Sequence, residues 1–293
     1  MWPKFLVSLS TAATLLAGCL PAANETSEGL QVLAAETFLA DIAQHVAGDR
    51  LVVGSLLSPG VDPHEFQATP QDAIRIARAQ VLIVNGLGYE AWLEKSLAAG
   101  AGDRLLVEAA AGVSPESEGD PHLWMNPRNV VRYAENIRDG LTEADPDGRS
   151  VYAANAEAYI AGLLELDAWI KDEVASVPSE RRVLITNHHA LASFAQAYGF
   201  EIAGVVIPGF TSGAAPSAQQ MAELIRTIKS RGVPAIFLDA SENPDLAQQI
   251  ASESGAQVVT GLYVETVSGT GGPAPTYLGM LKHDVKLIVE ALR

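Results

Sequence analysis

The stretch 145–178, DPDGRSVYAANAEAYIAGLLELDAWIKDEVASVP, carries no strand signal along its length, and its reading decides how the chain is organised. Tyr159, Leu163, Leu166, Ile170 and Val174 recur every three or four residues and mark one apolar helical face. Asp145 followed by Pro146 reads as an N-cap with proline in the first turn, and Pro178 ends the helix. Roughly 30 residues at about 1.5 Å each predict a rod of about 45 Å, longer than one small domain. A single helix of that length joining two lobes makes a stiff hinge.

On both sides of it, short β-branched runs alternate with helical segments. QVLAA (31–35), RLVVGSLL (50–57) and AQVLIVNGL (79–87) precede it, separated by helical stretches such as Thr37–Ala47 and Pro70–Ala79. RRVLITN (181–187), FEIAGVVI (200–207), VPAIFLDA (233–240) and AQVVTGLYV (256–264) follow it. Thr276–Leu292 is a further amphipathic helix, with Leu278, Leu281, Val285, Ile288 and Leu292 on one side. Strand–helix alternation implies parallel sheets covered by helices. The expected architecture is α/β: an N-terminal lobe over 30–144, the linking helix over 145–178, and a C-terminal lobe over 179–293. A length of 293 residues suits two domains with a full core.

The N-terminus reads differently. Phe5–Gly18 is an apolar run behind Lys4, too short to span a bilayer and matched to a signal-peptide h-region. It ends in Leu16-Ala17-Gly18-Cys19, which resembles a bacterial lipobox, so residues 1–18 are expected to be removed and Cys19 lipidated. Residues 19–29 then form a short anchored tether, and the mature protein sits extracytoplasmically on the cell membrane. Cys19 is the only cysteine, which excludes an intrachain disulfide. Loss of residues 1–18 removes one lysine and leaves 18 basic against 35 acidic residues, a net charge of −17. Such a surface repels nucleic acid and attracts cations.

The histidines sort by surroundings. His64 lies in VDPHEF and His122 in GDPHLW, so Asp-Pro-His occurs twice, 58 residues apart. Asp-Pro favours a turn, and the proline stiffens the backbone leading into each ring. His122 also precedes a helix start at Asn126-Pro127. His188 and His189 follow the strand RRVLITN, and adjacent side chains there diverge, so one of the two is a ligand candidate. Glu265 follows the strand AQVVTGLYV. His64, His188 and Glu265 thus follow strand C-termini, where open α/β sheets place ligands. One site closed across an interlobe cleft is expected. Three neutral imidazoles and one carboxylate suit four-coordinate zinc at about 2.0–2.2 Å and disfavour Cu(I), calcium and magnesium. Manganese stays open, especially if Glu265 binds through both oxygens. Asp62 and Asp120 are candidates to orient the rings. His45 reads as a half-buried helix histidine and His283 as a solvated one, while Trp92 and Trp124 read as core or cleft-wall aromatics.

VDPHEFQATPQD, NGLGYEAWLEK, DPHLWMNP, TNHHALASFAQAYG and LYVETVSGTGGPAPTY together resemble successive signatures of the zinc/manganese substrate-binding lipoproteins of bacterial ABC importers. The resemblance covers about residues 30–292. It implies two lobes on a rigid backbone helix, metal ligands at His64, His122, His188 and Glu265, and partnership of a monomer with an ABC permease and its ATPase. The chain departs from the family pattern in several places. Glu265 stands where aspartate is usual, Asn126 where aspartate is more frequent, Ser193 where tyrosine is common, and His189 where histidine is not the rule. Only SPESEGD (114–120) stands where many zinc-specific members carry a histidine-rich acidic loop. The expected function is capture of a divalent transition metal, zinc first and manganese next, for import, without catalysis. A secreted zinc hydrolase is the alternative, but it needs an open coordination position, and Glu65 after His64 is not part of an H-E-x-x-H helix. An adhesion protein with a structural metal is a third reading. A binder of a metal chelate is a fourth, disfavoured by an aromatic content of 6%.

Overall fold

The β-branched runs form two four-stranded parallel sheets of the same strand order. In the first, β1 (Val32–Ala34), β2 (Val53–Ser55), β3 (Val81–Val84) and β4 (Leu105–Glu108) lie in the order β2-β1-β3-β4. In the second, β5 (Val183–Thr186), β6 (Glu201–Val205), β7 (Ala235–Asp239) and β8 (Gln257–Leu262) lie in the order β6-β5-β7-β8. The central strands β1, β3, β5 and β7 are buried throughout, as expected where helices cover both faces. In each sheet the order reverses beside the first strand, and the loops at the carboxyl ends there open toward the other lobe. The computed structural model describes residues 1, 29–93, 104–115, 118–213 and 215–293. The expected signal segment and Cys19 lie outside the described residues.

Between the sheets runs the linking helix, Arg149–Ala175, of 27 residues or about 40 Å. The expected Asp145-Pro146 pair stands at the N-cap and first turn of a 3-10 turn, Pro146–Gly148, which follows the helix Pro127–Ala144 and runs directly into the linking helix. The Asp145 side chain makes no cap hydrogen bond. It accepts hydrogen bonds from the Arg50 guanidinium and the Tyr152 hydroxyl, and these hold its pKa down to about 2. An ion-pair partner thus takes the carboxylate that sequence alone assigns to a cap.

Tyr152, Tyr159, Leu163, Leu166, Ile170 and Val174 of the linking helix are buried in one continuous core. That core takes in Phe38, Ile42 and Val81 from the first lobe and Leu184, Phe237 and Val285 from the second. Asp167, on the same buried face, accepts from Arg128 Nε at 2.8 Å, Lys171 Nζ at 2.7 Å and the Tyr198 hydroxyl at 3.1 Å. Burial alone would raise its pKa, but these donors outweigh it and lower it. The opposite faces of the two sheets carry separate, smaller cores. The strand β4 went unrecognised in the sequence, where RLLVE (104–108) is short and follows a polar, glycine-rich stretch. His283 is partly buried, with Nε2 against the Gly261 carbonyl at 3.0 Å, rather than solvated, and His45 is the more exposed of the pair.

Gly140 sits where the helix Pro127–Ala144 crosses β4, and a Cβ there would lie 2.4 Å from a Val107 methyl. Alanine in mid-helix ordinarily gains about 1 kcal/mol over glycine. Here the gain is reversed by overpacking against a β-branched, buried neighbour. Gly140→Ala is expected to destabilise the protein by about 1–3 kcal/mol, read as a lower urea midpoint with an unchanged slope.

Candidate metal site

Each of the four expected ligands is delivered by a loop beyond a strand end. His64 comes nine residues after β2, His188 two after β5 and Glu265 three after β8. His122, whose strand was unseen in the sequence, follows β4. The repeated Asp-Pro-His tripeptide folds the same way twice. Asp62 Oδ1 accepts the His64 backbone N–H at 2.8 Å, and Asp120 Oδ1 accepts that of His122 at 2.9 Å. In both, the aspartate closes a turn that the following proline has already stiffened. The two aspartates then part company. Asp120 also accepts from the His122 ring at Nδ1, at 2.9 Å, which leaves Nε2 as the lone-pair nitrogen. Asp62 instead accepts from the Ser212 hydroxyl of the other lobe and does not hold the His64 ring.

The structure brings His64, His122, His188 and Glu265 together, with one donor atom of each within 4.8 Å of all the others. The ring centroids stand 5.2–5.4 Å apart in a near-regular triangle. Glu265 Oε1 lies 2.9 Å from His188 Nε2 and 3.4 Å from Nε2 of both His64 and His122. His64 and His122 Nε2 are 3.3 Å apart. A tetrahedron with bonds of about 2.0–2.1 Å has edges of about 3.3 Å, so these separations fit a four-coordinate cation. His189 does not join the group. Its ring turns to Phe210, with centroids 5.8 Å apart, and its backbone N–H donates to Gly209.

Electrostatics match the geometry. Glu265 is 2% exposed, and burial would neutralise it, yet the surrounding imidazoles hold its pKa well below the carboxylate range. Burial opposes a charged His122, but Asp120 and Glu265 together outweigh that and push its pKa up to about 9. Four electron-pair donors face one another there, an arrangement that a shared positive charge stabilises. The Tyr89 hydroxyl, its pKa raised far above the ordinary value by burial and by Glu265, stays protonated and donates to Glu265 Oε2.

Sequence reasoning missed several residues that join the two lobes or fix the loop carrying Glu265. Thr37 and Thr266 share a hydrogen bond of 2.8 Å, and the backbone N–H groups of Val267 and Gly60 donate to the Thr37 and Thr266 hydroxyls. Trp124, expected in the core, stacks on Phe38 and donates from Nε1 to the Val264 carbonyl at 2.7 Å. Asp239 Oδ2 accepts the N–H groups of Val264 and Glu265, and Asp284 Oδ1 accepts that of Tyr263 at 2.8 Å. Short polar side chains spread over 230 residues have no local pattern, so nothing in the sequence singles them out.

The family model described as zinc-uptake complex component A, periplasmic, matches residues 32–291. The manganese-binding lipoprotein MntA of Halalkalibacterium halodurans is 34% identical over 98% of this chain and 98% of its own. The iron-binding protein YfeA of Yersinia pestis is 32% identical over 91% of this chain and 88% of its own. Among solved structures, the periplasmic zinc binding protein TroA from Treponema pallidum superposes with a TM-score of 0.83 at 29% identity, covering 89% of this chain and 98% of that one. A Mn-bound periplasmic metal binding protein from Candidatus Liberibacter asiaticus gives 0.81 at 30% identity, covering 89% and 99%.

Asp284 is fully buried, its Oδ2 has no partner, and burial with the nearby Asp239 charge raises its pKa well above the ordinary value. Folding therefore favours its neutral form relative to the unfolded chain. Stability is lost as pH climbs from the ordinary carboxylate range toward that raised pKa. Asp284→Asn copies the neutral form. In chelator-treated protein its melting temperature is expected to exceed that of the wild type at pH 8, with the difference vanishing near pH 4.

Proposed function

This chain belongs to the family of periplasmic metal-binding components of uptake complexes, and from that membership we propose that it captures a divalent transition metal outside the cytoplasm for delivery to an ABC importer, with zinc as the first reading from its donor set. His64, His122, His188 and Glu265 are the ligands in this reading, through three Nε2 atoms and Glu265 Oε1. The observation that carries it is the convergence of four donor atoms in a buried site, all within 4.8 Å of one another, with Glu265 Oε1 at 2.9–3.4 Å from the three Nε2 atoms. Nitrogen-rich, sulfur-free donors select a borderline ion over calcium, magnesium or Cu(I). The metal is cargo, and no bond is made or broken in it. Manganese is the second reading, favoured by the names of the lipoproteins from Halalkalibacterium halodurans and Bacillus subtilis.

The remaining parts of the proposal concern placement. Cys19 is the lipid-bearing first residue of the mature chain, a reading that the lipoprotein names of several relatives support. The lobes span 30–144 and 179–293, and the mature protein is a monomer that presents its loaded cleft to the permease.

Ligand imidazoles must be neutral, so protons compete with the ion. Stoichiometric zinc is expected to raise the melting temperature strongly at pH 7.5 and weakly at pH 5. A melting curve unmoved at neutral pH by zinc, manganese or iron would overturn the proposal. His122→Ala, which deletes a ligand, is expected to cost more affinity than Asp120→Ala, which deletes only its orienting acceptor. The latter should lose about 10–100-fold, read by competition with a chromophoric chelator.

A further inference from the structure

We infer that Tyr89 determines which ions the site accepts, by engaging one oxygen of Glu265 so that the carboxylate offers only the other to the metal. The two oxygens face different ways. Oε1 looks into the three imidazoles, at 2.9, 3.4 and 3.4 Å from their Nε2 atoms. Oε2 accepts the Tyr89 hydroxyl, which arrives from the opposite lobe.

The phenol has little freedom to follow a reoriented carboxylate. Tyr89 is 4% exposed, and its backbone N–H donates to the Gly86 carbonyl at 3.1 Å. Its loop turns tightly through positive φ at Gly86, Leu87 and Gly88, and Leu87 is the one non-glycine residue with positive φ among those described. The ring packs edge-on against Trp124 at 4.9 Å and His64 at 5.1 Å. A glutamate chelating through both oxygens would have to turn Oε2 toward the ion, away from the direction in which the fixed hydroxyl now reaches it, and so weaken that buried hydrogen bond. That cost falls only on ions that want a fifth or sixth donor. Zinc is content with three nitrogens and one oxygen, whereas manganese prefers more oxygen ligands. Tyr89 thereby acts as a positioning residue that biases the site toward a four-coordinate ion.

This inference rests on the four-ligand reading above, and the experiment separates the two. Zinc and manganese affinities are measured for the wild type and Tyr89→Phe by chelator competition at pH 7.5, with X-ray absorption spectra of each complex. In the variant, the preference for zinc over manganese is expected to fall on the order of tenfold, about the worth of one buried hydrogen bond. The manganese spectrum should gain the short metal–carbon distance of a chelating carboxylate, absent from the wild-type zinc complex. Wild-type protein that binds neither ion overturns the four-ligand reading and this inference with it. Wild-type protein that binds, with the variant unchanged in preference and spectrum, overturns the role of Tyr89 alone. A chelating carboxylate in the wild-type zinc complex does so as well, and that measurement needs no variant to fold.

Discussion

A carboxylate buried among three imidazole nitrogens is the constraint on which the rest of this structure depends. Glu265 sits at 2% exposure, where an unpaired charge is expensive, and its Oε1 lies within 3.4 Å of three potential lone pairs. Such an arrangement is stable only when a positive charge is shared among the four groups. Two of them come from each lobe, so in the proposed reading the cation that satisfies the carboxylate also joins the lobes. An ion held by all four donors favours the closed arrangement for the plain reason that only there do the four meet.

Beside the apolar core that the lobes share, small polar contacts join them around that centre. Thr37 meets Thr266, Gly60 donates to Thr266, Ser212 donates to Asp62, and Tyr89 donates to Glu265. Each such bond in itself contributes modestly, on the order of 1 kcal/mol. Their joint effect is to define register between the lobes. Stiffness comes from behind. The linking helix shares one core with both lobes, and Asp167 collects donors from Arg128, from Lys171 on the same helix and from Tyr198.

Much of this was legible in the chain. The spacing of Tyr159, Leu163, Leu166, Ile170 and Val174 is a local property of one helix, and the buried face follows it residue for residue. Seven of the eight strands are β-branched runs that can be read off directly, whereas β4 is a four-residue edge strand with a half-exposed pattern. The doubled Asp-Pro-His works through a turn that spans two residues, and so the presentation of His64 and His122 is encoded where it occurs. The turn that opens the linking helix was legible too, at Asp145 and Pro146, but the partner of the Asp145 carboxylate was not, because it is Arg50, 95 residues earlier.

What the sequence determined by itself is therefore whatever short-range geometry controls: the helix faces, the strand runs, the two stiff histidine turns and the donor types of the site. Tertiary structure set His188 rather than His189 in the cluster, which strand and spacing had left open, turned Asp62 toward Ser212 rather than the His64 ring, and brought Tyr89 to Glu265 across 176 residues of chain. Those outcomes depend on how loops from two sheets face each other at one cleft. No spacing along a chain encodes such a meeting, because it arises only once two separately folded sheets share a single core.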